Sequence, residues 1–101
     1  MHDKRRLELI VERMALTRAC NILEDAELTG YTVLPAMAGF GGSTHWRSEG
    51  DLSTTQEMVV VIAIGDVERI DKALQDLYRL LDRHVGVLSV GDVQVLRPER
   101  F

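Results

Sequence analysis

The order of hydrophobic periodicities along the 101 residues predicts an α+β fold, a four-stranded sheet with two helices. Three observations carry that expectation. Apolar residues alternate with polar ones near both ends of the chain, two stretches repeat apolar residues at helical spacing, and an unbroken apolar run separates those stretches. The resulting order is β-α-β-loop-β-α-β, two similar halves.

Arg6 to Glu12 alternates Leu7, Leu9 and Val11 with mostly polar neighbours, the pattern of a strand with one buried face. From Met14 to Leu28 the period changes. Ala15, Ala19, Ile22, Leu23 and Ala26 form the stripe of an amphipathic helix, and Gly30 predicts its stop. Tyr31-Thr32-Val33-Leu34 is aromatic and β-branched, hence a second strand, with Pro35 limiting its pairing. A long connection follows, from about Met37 to Gln56. Met58 to Ile64 is apolar throughout, as expected of a central strand covered on both faces.

Gly65-Asp66 breaks that run, and Asp66 is placed to cap a second helix marked by Val67, Ile70, Leu74, Leu77 and Leu81. Gly86 opens the fourth strand, Val87 to Leu96. Its apolar phase slips by one between Leu88 and Val90 and then Val93 and Val95, which predicts a β-bulge at Gly91-Asp92. Helical crossovers make the two strands of each half parallel, and the ferredoxin-like split βαβ sandwich is the simplest arrangement. One domain, residues 1–101, is expected. The sheet face without helices carries Ile10 and the apolar third strand, so it needs cover, and a closed homo-oligomer, a trimer, is the expectation.

Apolar residues make up 46% and charged residues 28%, which excludes collagen-like, disulfide-scaffold and wholly disordered chains. Twelve basic against sixteen acidic residues give a net charge of −4, and only Lys4-Arg5-Arg6 forms a basic run. Nucleic acid is therefore not an expected partner. The single cysteine, Cys20, fits a reducing cytoplasm, and no signal-peptide pattern or apolar run near 18 residues is present. A cytoplasmic protein with no membrane insertion is expected.

Four of the eight glycines, Gly39, Gly41, Gly42 and Gly50, fall within twelve residues of the long connection. Glycines let successive N–H groups turn toward an anion; Ser43 and Thr44 add hydroxyl donors, and Arg47 adds a planar fork for phosphate or carboxylate. The alternative is a surface loop with an incidental arginine. Neither a Walker A motif nor a Rossmann fingerprint is present. Trp46 is either an anchor for a ligand or partner, or packing against the chain's own surface. His45 and His84 could share a metal with Asp82 or Cys20, but no metal-ligand spacing appears. Cys20 reads as a small core residue rather than a nucleophile, and no paired carboxylates mark an active site, so an enzyme is not expected. The turn from Arg83 to Ser89 is either a plain helix-to-strand connection or a backbone edge offered to a ligand.

With this pattern the chain resembles the PII-like signalling proteins, in particular the branch linked to inorganic-carbon uptake and carboxysomes. Gly30-Tyr31-Thr32-Val33, the GxGGSxxxRSxG run from Gly39 to Gly50, and Gly86 carry the resemblance. It implies a trimer of ferredoxin-like subunits with adenine nucleotides in the clefts between neighbours. The 37–56 connection would be the T-loop, docking on a target such as a membrane bicarbonate transporter or a carboxysome-related protein. Carried over by position, Gly41, Gly42, Ser43, Thr44 and Arg47 would hold phosphate or another anion, and Gly86, Val87 and Leu88 would face the adenosine. ADP or AMP, with bicarbonate, are the implied ligands, and no catalytic cofactor is implied. The T-loop has no tyrosine, so a uridylylation switch has no acceptor. The glycine- and lysine-rich B-loop is missing, and Thr44 stands where relatives in the bicarbonate-transporter branch carry a second arginine. These departures favour AMP or ADP over ATP. A divalent-metal-binding trimer of the cation-tolerance type is the alternative, and a small enzyme of similar fold a third.

Overall fold

The first strand, β1 (His2–Glu12), alternates the fully buried Leu7, Leu9 and Val11 with the half-buried Glu8, Ile10 and Glu12, and it lies inside the sheet. The computed structural model describes residues 1–41, 44–47 and 57–97. After a single 3-10 turn over Arg13–Ala15 comes α1 (Leu16–Asp25), followed by β2 (Tyr31–Ala36). The 37–56 connection holds two short strands, β3 (Ala38–Gly41) and β4 (Thr44–Arg47). Beyond it lie β5 (Met58–Gly65), α2 (Val67–Leu81) and β6 (Gly86–Val95). The order in the main sheet is β2-β5-β1-β6, with every neighbouring pair antiparallel. β1 and β2 therefore run the same way without touching, because β5 lies between them. The same holds for β5 and β6 across β1. This is the split βαβ arrangement of the ferredoxin-like sandwich, as the sequence predicts.

Leu7, Leu9, Val11, Val59, Val61 and Ala63 form the sheet side of the core. α1 and the residues flanking it cover it with Ala15, Ala19, Leu23 and Ala26, and α2 with Ile70, Ala73, Leu77 and Leu80. Among the described residues the core holds no buried polar or charged residue. None of their helices is long and apolar enough to cross a membrane.

Several local expectations need correction. The first helix ends before Gly30. Glu27 takes the left-handed conformation, φ 63°, and its N–H bonds the Glu24 carbonyl while the Leu28 N–H reaches back to Leu23. That pair of bonds is a Schellman closure, sealed by the buried Leu23 and Leu28. Pro35 does not stop β2: the strand continues to Ala36, with Pro35 opposite Val59, because an edge strand tolerates a missing N–H.

No bulge occurs at Gly91-Asp92. β6 pairs with β1 in one uninterrupted register from Val11↔Gly86 to His2↔Val95. The slip has another origin. Leu88 and Val90 lie opposite Leu9 and Leu7 on the helix-covered face; there Asp92 follows, bonded to Arg5, while Val93 and Val95 lie on the other face. The apolar pattern changes face without breaking the ladder. Asp66 holds the N-cap position of α2, but its carboxylate makes no cap bond and pairs instead with Lys4. β5 is fully buried along its helix face, whereas on the other face Val60, Ile62 and Ile64 remain half-exposed within one chain.

Candidate functional site

The long connection contains strand structure that the sequence does not predict, since β3 and β4 pair antiparallel as a separate two-stranded sheet. Glycines are weak strand formers, so no alternation announces this hairpin. Gly41 lies opposite Thr44, and Arg47 opposite Ala38 at the hairpin's base. Of the predicted anion-site positions in this connection, Gly41 and Thr44 thus lie together at the hairpin's end, with Arg47 across from its entry. Gly42 and Ser43 themselves lie outside the described residues, as do Ser48 to Gln56.

The second group of predicted residues opens β6. Gly86 pairs with Val11, and a Cβ built on it would sit 2.4 Å from the Ile10 carbonyl oxygen and 2.8 Å from Leu81 Cδ2. Only glycine fits that approach, because the nearest obstacle is backbone that cannot step aside. Val87 and Leu88 face opposite sides of the sheet. Val87 is 56% exposed, whereas the Leu88 side chain packs on the core and leaves its backbone as what it can offer a ligand.

Register brings the two groups to one end of the sheet. Ala36, where β2 leaves for the hairpin, lies opposite Met58, and Met58 lies opposite Glu12. Val11, one residue before Glu12, lies opposite Gly86. The departure and return of the long connection and the Gly86 turn therefore share one rim.

Three residues on that rim carry no motif and escape sequence reasoning: Glu12, Arg13 and Glu57. Glu12 Oε1 accepts the Val85 N–H at 2.7 Å and lies 3.4 Å from His84 Nδ1. His84 is nearly buried, and its Nε2 has no hydrogen-bond partner among the described residues. Arg13 bonds the Glu57 carboxylate at 2.8 Å. The signal that could have pointed to them is positional: an acid and a base side by side where a strand gives way to a helix.

Elsewhere, Tyr31 of the Gly30-Tyr31-Thr32-Val33 motif donates its hydroxyl to Glu24 at 2.6 Å. Glu24 first, and Cys20 second, hold the phenol well above its ordinary ionisation range, so it stays a donor. Cys20 is not the core residue the sequence predicts: it is half-buried on α1, in that small cluster. His84 sits instead beside Glu12. Among the described residues no group of three metal-capable side chains converges, and the side chain of His45 lies outside what is described.

The family model for nitrogen regulatory protein P-II matches residues 4–100. The chain belongs to the P-II family. Among solved P-II-like structures, that of CPII, a nitrogen regulatory PII-like protein from Thiomonas intermedia K12 bound to ADP, AMP and bicarbonate, aligns with a TM-score of 0.89 at 26% identity. The alignment covers 99% of this chain and 94% of that one. The same Thiomonas protein bound to ADP and bicarbonate gives 0.83 at 29% identity, covering 99% and 95%. A PII-like signalling protein from Thermus thermophilus shares the fold at a TM-score of 0.82 and 20% identity, covering 98% and 95%. None of the curated proteins matches the chain by sequence.

Proposed function

We propose that this P-II protein is a non-catalytic, trimeric sensor of ADP or AMP together with bicarbonate. In this reading it regulates inorganic-carbon uptake or carboxysome function through the 37–56 T-loop. The observation that carries the proposal is the similarity, over 99% of the chain, to a protein whose structures hold ADP, AMP and bicarbonate. Gly41, Gly42, Ser43, Thr44 and Arg47 supply amides, hydroxyls and one guanidinium for phosphate or bicarbonate, both of which are oxyanions suited to such donors. Gly86, Val87 and Leu88 face the adenosine, with Gly86 holding the turn against β1 and Val87 and Leu88 presenting backbone and one exposed side chain. The cleft lies between neighbouring subunits, and the half-exposed face of Ile10, Val60, Ile62 and Ile64 is the surface along which the trimer closes. A ligand acts by binding one arrangement of the T-loop more tightly than another, since only differential affinity shifts an equilibrium. The target is a membrane bicarbonate transporter or a carboxysome-related protein.

Calorimetry with AMP, ADP and ATP, each with and without bicarbonate, tests the reading. ADP or AMP should bind more tightly than ATP, and bicarbonate should change the affinity. Absence of binding by all three nucleotides refutes it. Arg47→Ala removes a charge-assisted bond of about 1.5–3 kcal/mol, so ADP or bicarbonate affinity should fall by at least about tenfold with assembly intact. Unchanged affinity removes Arg47 from the site.

A further inference from the structure

We infer that Glu12 and Arg13 form a two-sided clamp that couples the Gly86 turn to the start of β5. The clamp begins where two ladders end. The Glu12 N–H donates to the Val85 carbonyl at 3.3 Å, one residue beyond the last β1–β6 pair. The Arg13 N–H donates to the Glu57 carbonyl at 3.0 Å, one residue beyond the last β1–β5 pair. β1 thus extends both ladders at once, to neighbours on opposite sides.

Each backbone bond is doubled by a side chain. Glu12 Oε1 takes the Val85 N–H at 2.7 Å, with His84 Nδ1 at 3.4 Å, and the Glu12 and His84 side chains are only 13% and 10% exposed. On the other side the Arg13 guanidinium meets Glu57 Oε2 at 2.8 Å. The Cα atoms of Glu12 and Arg13 flank one planar peptide bond, so the shortest covalent link the backbone has joins the two arms. Gly86 stiffens the first arm, because its close approach to the Ile10 carbonyl leaves the turn little room to slide along β1. Glu57, in turn, is where the chain re-enters the sheet from the T-loop. Glu12 and Arg13 are positioning residues: they need touch no ligand for occupancy at the Gly86 turn to be felt at Glu57.

The clamp itself stands on these contacts, while its role in signalling rests on the nucleotide-sensor reading, so two measurements separate them. The first uses ligand-free protein and the exchange rate of the Val85 amide proton. Glu57→Gln and Arg13→Ala should both speed that exchange, although each alters the opposite arm, while Arg18→Ala, on the exposed side of α1, should not. Exchange at Val85 equal to wild type in both variants overturns the clamp. The second is ADP titration. Arg13→Ala should weaken ADP about two- to fivefold, the range of an exposed ion pair, and exchanging the charges (Arg13→Glu with Glu57→Arg) should restore both affinity and exchange. Normal ADP affinity in Arg13→Ala overturns the transmission role. Faster Val85 exchange in those variants, in a protein that binds none of AMP, ADP and ATP, overturns the sensor reading and leaves the clamp established.

Discussion

Glu27 holds a conformation in which a side chain crowds its own backbone, a cost of about 1–2 kcal/mol for residues other than glycine. Its carbonyl accepts a hydrogen bond from the Arg69 guanidinium at 3.3 Å, a bond that survives substitution because it uses backbone. Glu27→Gly should therefore stabilise the protein by about 1 kcal/mol and raise its melting temperature by about 4–8 °C, as calorimetry would show. A lower melting temperature would mean that the Glu27 side chain makes a contact outweighing the strain. Gly30 shows how legible single residues were. It is a sound helix-stop signal, yet it stands three positions beyond the actual closure, because Leu23 and Leu28 met first and sealed the helix over an unfavourable residue. Gly86 was legible as important, but its reason was not: nothing in a sequence reveals that a carbonyl of a distant strand fills the place of its Cβ.

α2, Val67–Leu81, was readable from its apolar stripe and from Gly65-Asp66 at its start. What the sequence hid is how its N-terminus is held. Asp66 spends its carboxylate on Lys4 of β1, and the neighbouring Arg5 bridges Asp71 of α2 and Asp92 of β6. The helix is tied to the sheet by charge rather than by its cap. The Lys4 ammonium lowers the Asp66 carboxyl below its ordinary value of 3.8. A folded-state value below the unfolded one means that the contact stabilises fully above the ordinary value and is lost as pH falls through the lowered one. Urea midpoints measured from neutral pH downward should fall more steeply below about pH 4 in wild type than in Lys4→Met. Parallel acid limbs in the two proteins would show that the pair contributes nothing to stability. The β3–β4 hairpin is the opposite case of legibility, since its strands are too short and too glycine-rich to show a period. The slip in β6 was visible but ambiguous, because a bulge and a change of buried face leave the same pattern of residues.

On the sheet face without helices, Ile10, Val60, Ile62 and Ile64 form an apolar stretch that a single chain leaves half-exposed. Ile62 lies at its middle, with Thr32 and Glu8 as its cross-strand neighbours and Val60 and Ile64 along the strand. Ile62→Lys leaves the helix-side core untouched, so the chain should fold yet fail to assemble, seen as a drop from trimer to monomer in light scattering after size exclusion. A trimer that persists would place the subunit interface elsewhere. The architecture was legible because four strands and two helices left few ways to connect them; the rim of the site was not, because Glu12, Arg13 and Glu57 meet only through long-range pairing. That same pairing leaves the sheet with two unequal borders. β2 carries Pro35, which offers no N–H, whereas β6 runs ten residues without a proline. Unpaired borders invite other chains to add strands, and prolines discourage it. A subunit separated from its partners would consequently be sticky along one side only, so its aggregates would begin as strand pairs through β6, and a proline placed there would keep an isolated subunit in solution.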